Sequence, residues 1–98
     1  MSLSGWTVFH QQGKPADAVY LSYGSDNKLI AANRVNISRP DVAKELSNDA
    51  YNQSGWTVNI PTTVLPIGNN ILRVWGYDQG RDRLVQLGDD INIKVLDF

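Results

Sequence analysis

The sequence predicts an all-β fold: a Greek-key sandwich of about seven short strands with one short helical turn in a connection. Apolar residues recur with a period of two along most of the chain, as they do in half-buried strands. Clusters of Gly, Pro, Asn and Asp separate these segments at short intervals, as turns do. Because 98 residues suffice for one hydrophobic core, residues 1–98 are expected to form a single domain. A small closed barrel is the second architecture that this pattern allows.

The first half of the chain contains three predicted strands, at residues 6–8, 17–23 and 29–37. Trp6 and Val8 share one side of the first strand, and Leu21 lies on the apolar face of the second. The polar loop GSDNK at 24–28 has the length and composition of a hairpin connection between the second and third strands.

One helical turn is predicted after these strands. Ser38 precedes Asp41 by three residues, which is the spacing of a capping box, and Pro40 is tolerated in the first turn of a helix. The apolar stripe that follows is narrow, so one or two turns across a connection are expected rather than a structural layer. Arg39 is expected to pair locally, with Asp41 or Glu45.

The second half contains four predicted strands, at residues 55–60, 70–77, 84–87 and 91–96. The turns between them are assigned to residues 61–68, 78–82 and 88–90, which are rich in Pro, Gly and Asp. Residues in phase on the apolar faces define the predicted structural core: Trp6, Val8, Leu21, Trp56, Val58, Leu72, Val74 and Ile93.

The pentapeptide SGWTV occurs twice, at residues 4–8 and 54–58. The segments that follow the two copies differ in length and in helical content, which argues against an internal duplication. Gly, Trp, Thr and Val are also residues that strands commonly combine. The two copies are therefore interpreted as separate core strands of one domain, with both tryptophans inside.

Composition and charge exclude several function classes. The formal net charge is −1 and no basic run occurs, so no nucleic-acid partner is expected. The chain has no cysteine, which excludes disulfides and thiolate metal sites. No apolar stretch approaches the roughly 20 residues of a membrane span, so no direct membrane insertion by this segment is expected.

Candidate catalytic and metal-binding residues are few. The single histidine, His10, stands at the end of a predicted strand without a nucleophile or orienting group nearby in sequence. The aspartates at 78, 82, 89 and 90 occupy turns, where aspartate is favoured for backbone reasons. Calcium binding by these turns stays open, although Arg81 and Arg83 would offset the charge. We expect no catalytic residue, no metal site and no cofactor.

The aromatic residues offer one candidate ligand site. In the strand at 70–77, Leu72 and Val74 point to the core, which places Arg73, Trp75 and Tyr77 together on the opposite face. Such a row could contact a sugar or a protein partner, with Tyr20 contributing from across the sheet. The alternative is that the Arg73 side chain covers the Trp75 ring in a cation–π contact and only protects the sheet.

Several sequence blocks carry a resemblance to bacterial immunoglobulin-like and fibronectin-type-III-like modules. The most specific are RPDVA at 39–43 and SGW at 54–56. The others are GW at 5–6, GKPA at 13–16 and LPIG at 65–68, the last followed by the strand NILRVWGYD. Together they cover nearly the whole chain.

The resemblance implies an immunoglobulin-like sandwich without chemistry of its own. Similar modules are found in extracytoplasmic parts of cell-envelope and polysaccharide-related proteins, including C-terminal parts of membrane glycosyltransferases. By this resemblance the chain is expected to be an accessory or interaction module of a larger extracytoplasmic protein. Residues 1–3 lead straight into the first strand-like segment, so we expect them to derive from a vector and the chain to be an excised domain. Its partners would be neighbouring domains of that protein or a polysaccharide, which makes carbohydrate binding the alternative function.

Overall fold

The computed structural model describes residues 2–9 and 11–96, and this part of the chain is mostly β-structure. Its strands are β1 Ser2–Trp6, β2 Val8–Phe9, β3 Lys14–Pro15, β4 Ala18–Tyr23, β5 Lys28–Arg34, β6 Gly55–Asn59, β7 Gly68–Asp78 and β8 Arg83–Val95. One α-helix, α1 Pro40–Glu45, and two 3₁₀ turns, Asp49–Tyr51 and Thr62–Val64, lie in the connections on either side of β6. The prediction of a mostly β fold with one short helix is confirmed.

The strands form antiparallel sheets. Four of them pair in the order β5-β4-β7-β8, β1 pairs with β6, and β2 forms a two-residue ladder with β3. The polar loop between β4 and β5 makes the hairpin that the sequence predicts, with Tyr23 opposite Lys28. Beyond β5, Ile37 forms an isolated bridge to Gly55, so the chain passes from the four-stranded sheet to the edge of β6.

One hydrophobic cluster lies between the four-stranded sheet and the β1–β6 pair. It is formed by Val19, Leu21, Trp56, Val58, Ile60, Leu65, Leu72 and Val74, all of which are buried. Five of the predicted core residues belong to it, and Ile93 packs against it while partly buried. Val8 instead packs on a smaller cluster under α1, formed by Val42, Ala43 and Tyr51.

The two SGWTV copies are partners in one ladder. They run antiparallel in β1 and β6, with Gly5 opposite Trp56 and Trp6 opposite Gly55. Each tryptophan thus lies across from the glycine of the other copy. Because neighbouring pairs in a ladder point to opposite faces, only one of the two rings can enter the core.

The prediction that Trp6 is a core residue is wrong. Trp56 takes the inner position, where its indole ring packs over the Cα atom of Gly5 and is buried. Trp6 is on the other face of the ladder and remains 45% exposed. The predicted phase with Val8 fails because β1 ends at Trp6 and β2 begins after Thr7, whose N–H donates to the Ser54 carbonyl.

In the structure, the last two predicted strands form a single strand, β8. The GDD segment at 88–90, assigned to a turn, is an irregular stretch within β8, where the pairing with β7 shifts between Leu72 and Val74. Gly88 has a φ of +68°, a conformation that glycine adopts without strain. The extra residues bulge out opposite Arg73 while the strand continues on both sides.

Helix α1 begins one residue later than the capping box requires. Arg39, not Ser38, precedes the first helical residue, and no side chain caps this end of the helix. Pro40 does occupy the first turn, as the sequence predicts. Arg39 forms a two-pronged ion pair with Asp41, at 3.0 and 2.9 Å, which also lowers the pKa of the Asp41 carboxyl. The expected local pairing of Arg39 is therefore present, and the predicted Ser38 cap is not.

Candidate functional site: the outer face of the four-stranded sheet

Strand β7 alternates buried residues with residues that point away from the core. Arg73, Trp75 and Tyr77 are half-buried members of the second set. Tyr20 on β4 is opposite Trp75, and Leu84 on β8 is opposite Tyr77. These five residues form the outer face of the four-stranded sheet. The structure thus brings together the three residues that the sequence proposes as a ligand site and adds Leu84, which is 43% exposed.

The Trp75 ring is fixed on this face by a hydrogen bond. Its indole N–H donates to Ser22 Oγ at 2.9 Å, and Ser22 is fully buried beneath it. The polar edge of the ring is therefore satisfied within the protein. What remains accessible is apolar ring surface held in one orientation.

The two tyrosines of the outer face form an edge-to-face pair. The ring centroids of Tyr20 and Tyr77 are 6.0 Å apart and the ring planes meet at 83°, a favourable aromatic geometry. The Tyr77 hydroxyl donates to Asp82 Oδ1 at 2.7 Å, and this hydrogen bond raises the pKa of Tyr77. The rings are consequently rigid, but they do not form the coplanar platform that stacking on an extended polysaccharide would use.

Arg73 binds other parts of the protein rather than the Trp75 ring. Its guanidinium contacts Asp90 through two nitrogens, at 2.9 and 3.3 Å. A third nitrogen donates to the Gly24 carbonyl at 3.2 Å and to Asn27 Oδ1 at 2.8 Å. Four of the five N–H donors of a guanidinium are thereby used. Arg73 ties the β4–β5 hairpin to the β8 bulge, and the same contact lowers the pKa of Asp90.

Two shallow depressions flank the tyrosine pair. One has a volume of about 510 Å³ and is lined by Tyr20, Tyr77, Asp82, Arg83 and Leu84. The other, of about 450 Å³, is bounded by Tyr20, Tyr77, Arg34, Asp17 and neighbouring residues. Both combine ring surface with charged groups, so this face can bind apolar and polar parts of one partner. Its open shape is that of a protein surface rather than an enclosed small-molecule pocket.

Three of the four carboxylates that sequence reasoning weighed for calcium or catalysis have protein partners. Asp82 accepts from Tyr77, Asp90 from Arg73, and Asp78 from Gln12 and Lys14. Within the described residues no group of three or more His, Cys, Asp or Glu side chains is arranged to hold a metal ion. His10 lies outside the described residues.

Asp78 is the most deeply placed charge, and the sequence assigned it only to a turn. It is 1% exposed at the end of β7, where its carboxylate accepts from Gln12 Nε2 at 2.7 Å and from Lys14 Nζ at 3.2 Å. The hydrogen bond from Gln12, followed by the contact with Lys14, lowers the pKa of Asp78. Lys14 also contacts Asp17 at 3.6 Å, so the cluster fixes the β2–β3 segment against the sheet.

This cluster predicts a pH dependence of stability. A carboxyl whose pKa is lower in the folded state stabilises the fold above its unfolded pKa of about 3.9, and this contribution is lost as the pH falls through the folded pKa. The Asp78→Asn variant should be less stable than the wild type at pH 7 and should lose less stability between about pH 4 and pH 2.

Urea unfolding of the two proteins across this pH range measures the effect. Asp49→Asn, which changes an exposed carboxylate in the first 3₁₀ turn, is the matched control and should keep the wild-type slope. Equal acid slopes for the wild type and Asp78→Asn would show that Asp78 does not carry this dependence.

Comparison with known proteins identifies no relative: no protein-family model matches the chain, and no curated protein or solved structure is significantly similar to it. In the described part of the chain, no helix is long and apolar enough to cross a membrane.

Proposed function

We propose that the chain is a non-catalytic interaction module of a larger extracytoplasmic protein, at the cell surface or in the periplasm. In this proposal it is an immunoglobulin-like Greek-key sandwich, and the outer face docks a neighbouring domain and so orients or spaces it. The sequence resemblance motivates the assignment to the cell envelope. Antiparallel sheets that share one hydrophobic cluster are compatible with such a sandwich.

The observation that carries the proposal is the tethering of the outer-face rings. Trp75 is bound to Ser22, and Tyr77 is bound to Asp82 and packed on Tyr20. Rigid aromatic rings lose little conformational entropy when a partner binds, and they are enriched in protein interfaces. The exposed Leu84 side chain extends the apolar surface to the edge of the sheet. An open surface of this kind suits a protein partner.

A surface variant tests this docking. In the full-length gene product, docking should raise the unfolding midpoint of the domain above that of the isolated chain, by about 4–8 °C for each kcal/mol of contact free energy. Leu84→Asp should abolish this difference because it places a charge in the interface, while the isolated chain changes little. Val64→Asp alters a comparably exposed residue in the second 3₁₀ turn and should preserve the difference.

Differential scanning calorimetry of the wild type and of each variant, at both lengths, gives three comparisons between the isolated chain and the full-length product. If the isolated chain and the full-length product unfold at the same temperature, or if Leu84→Asp has no effect, the docking proposal is wrong. A gene product consisting of these 98 residues alone would also contradict it.

Carbohydrate binding is the second candidate, and the two depressions beside the tyrosine pair favour it. Each offers ring surface next to charged hydrogen-bonding groups such as Asp82 and Arg34. Isothermal titration with oligosaccharides from bacterial envelope polysaccharides tests it. Binding that Tyr77→Ala removes and Tyr77→Phe retains would assign the ring to sugar contact. Absence of binding to every oligosaccharide would reject this candidate.

A further inference from the structure

A second concave surface lies on the other side of the domain, between the free edges of β1 and β8. This edge groove has a volume of about 390 Å³. Its apolar lining consists of Leu3, Trp6, Trp56, Val74, Leu87 and Ile91, and Ser4, Gly88 and Asp89 complete it. Because several of these residues also pack on the main cluster, the groove opens onto the side of the hydrophobic core.

Trp56 carries an unsatisfied polar group in the wall of this groove. The residue is 92% buried, as its exposure is 8%, and its indole N–H has no hydrogen-bond acceptor among the described residues. Buried donors in folded proteins nearly always have a partner, since an unpaired one costs free energy. The nitrogen atom itself is buried, so a molecule in the groove would contact the Trp56 ring rather than its N–H.

The edge of β1 beside the groove has free backbone groups. Gly55 exchanges both of its backbone hydrogen bonds with Ile37, so its N–H and C=O point away from its β1 partner, Trp6. In an antiparallel ladder, the backbone N–H and C=O of Trp6 must then point away from β6 as well. The same holds for the backbone N–H and C=O of Ser4, two residues earlier. In the sheet described, β1 pairs with β6 alone. Its outer edge can accept another strand.

The rim of the groove is acidic. Asp89 lies at the bulge of β8, and Glu45 lines the adjoining hollow that Trp6 shares with helix α1. Neither carboxylate forms an ion pair within the described residues, in contrast to Asp41 and Asp90. An occupant with apolar side chains flanked by a lysine or arginine would complement both the lining and the rim.

We propose that the edge groove is filled by an extended strand from another part of the same larger protein. This strand adds to the free edge of β1, presents apolar side chains to Trp56 and Leu87, and places a basic side chain near Asp89. The inference rests on the proposed function only in requiring a larger protein, since it uses a different surface. The domain would then bind a strand in the edge groove and a neighbouring domain on the outer face.

The short edge favours a strand from the same polypeptide over a free peptide. β1 has five residues, and two of them, Ser4 and Trp6, are the outward-facing residues beside the groove. So few backbone hydrogen bonds give weak binding, because each contributes only about 1 kcal/mol net. A covalent link supplies an effective concentration in the millimolar range, which is sufficient for a weak strand to remain bound.

The Trp56 ring lines the groove, so its indole signal reports whether the groove is occupied. In ¹H–¹⁵N spectra, the Trp56 indole signal should move in the full-length gene product relative to the isolated chain, because the added strand packs against the ring. Hydrogen exchange of the outward backbone N–H of Trp6 should slow by about tenfold, as one added hydrogen bond would produce.

Ser4→Pro removes the outward N–H of the edge while leaving the bonds between β1 and β6 in place, because edge strands tolerate proline at such positions. In the full-length product, this variant should return the Trp56 signal to its position in the isolated chain, and Ser4→Ala should not. Identical Trp56 signals in the wild-type isolated chain and full-length product would overturn the proposal, independently of both variants. A shift that appears in the isolated chain as its own concentration rises would assign the groove to a second copy and would also overturn it.

Failure of this proposal is distinguishable from failure of the docking proposal. The strand proposal is tested by the Trp56 signal and the Ser4 variants, and the docking proposal is tested by the Leu84 variant. The two sites lie on different surfaces, so a negative result at one leaves the other measurement interpretable.

Discussion

Replacing Trp56 with alanine should destabilise the domain by about 3–5 kcal/mol, whereas Trp6→Ala should cost about 1 kcal/mol or less. The two residues occupy the same position in identical pentapeptides, but the ladder places them on opposite faces. Trp56 fills the space over Gly5 inside the main cluster, and its removal leaves a cavity. Trp6 is nearly half exposed, so its removal leaves little unfilled volume.

Urea unfolding monitored by far-UV circular dichroism, which does not depend on either fluorophore, measures both free energies of unfolding. Trp75→Phe, which keeps most of the ring on the outer face, serves as an aromatic control with an intermediate loss. Equal losses for Trp6→Ala and Trp56→Ala would contradict the ladder register on which the description of the core depends.

Gly55→Ala should destabilise the domain by about 3 kcal/mol, while Gly5→Ala should remain within about 1 kcal/mol of the wild type. A Cβ atom on Gly55 would approach the Ile37 carbonyl oxygen to 2.9 Å and Arg39 Cγ to 2.8 Å. The Ile37 carbonyl accepts the Gly55 N–H, so relief requires a backbone shift that breaks the bridge. A Cβ atom on Gly5 meets only the Trp56 ring, at 3.1 Å, and the ring can move slightly.

The same unfolding experiment compares these two variants. A backbone shift at the bridge should also speed amide exchange at Ile37 in Gly55→Ala, because its N–H donates to the Gly55 carbonyl. Wild-type stability for Gly55→Ala would mean that the chain does not pass as closely to β6 at Ile37 as the structure shows.

Local alternation was sufficient to predict most strands and the faces of β7. The residues at 72 and 74 are buried, and those at 73, 75 and 77 point the other way, because strand periodicity is a local property. The Trp6 prediction failed because periodicity does not specify where a strand ends or which segment pairs with which. The interruption at Thr7 and the pairing of the two SGWTV copies both depend on contacts about fifty residues apart in sequence.

The role of Arg73 was beyond sequence reasoning for a similar reason. A Gly-Asp-Asp segment reads as a turn, and only the pairing of β8 with β7 on both sides of it makes it a bulge. The bulge carries Asp90 to the Arg73 guanidinium, which would otherwise be free to contact a ligand or the Trp75 ring. The Trp75–Ser22 and Tyr77–Asp82 hydrogen bonds were also not predicted, although Ser22 and Asp82 are polar residues in an otherwise apolar or turn context. The available signal was Ser22, a polar residue in an otherwise apolar strand, whereas Asp82 is an ordinary turn residue.

The most direct test of the proposed docking function is hydroxyl-radical footprinting of the isolated chain and of the full-length gene product, read by mass spectrometry. The account predicts that Tyr20, Trp75 and Tyr77 are oxidised more slowly in the full-length product, while the exposed Val64 side chain reacts equally in both. Equal oxidation of the three aromatic residues in both proteins would mean that the outer face contacts no neighbouring domain and would contradict the account.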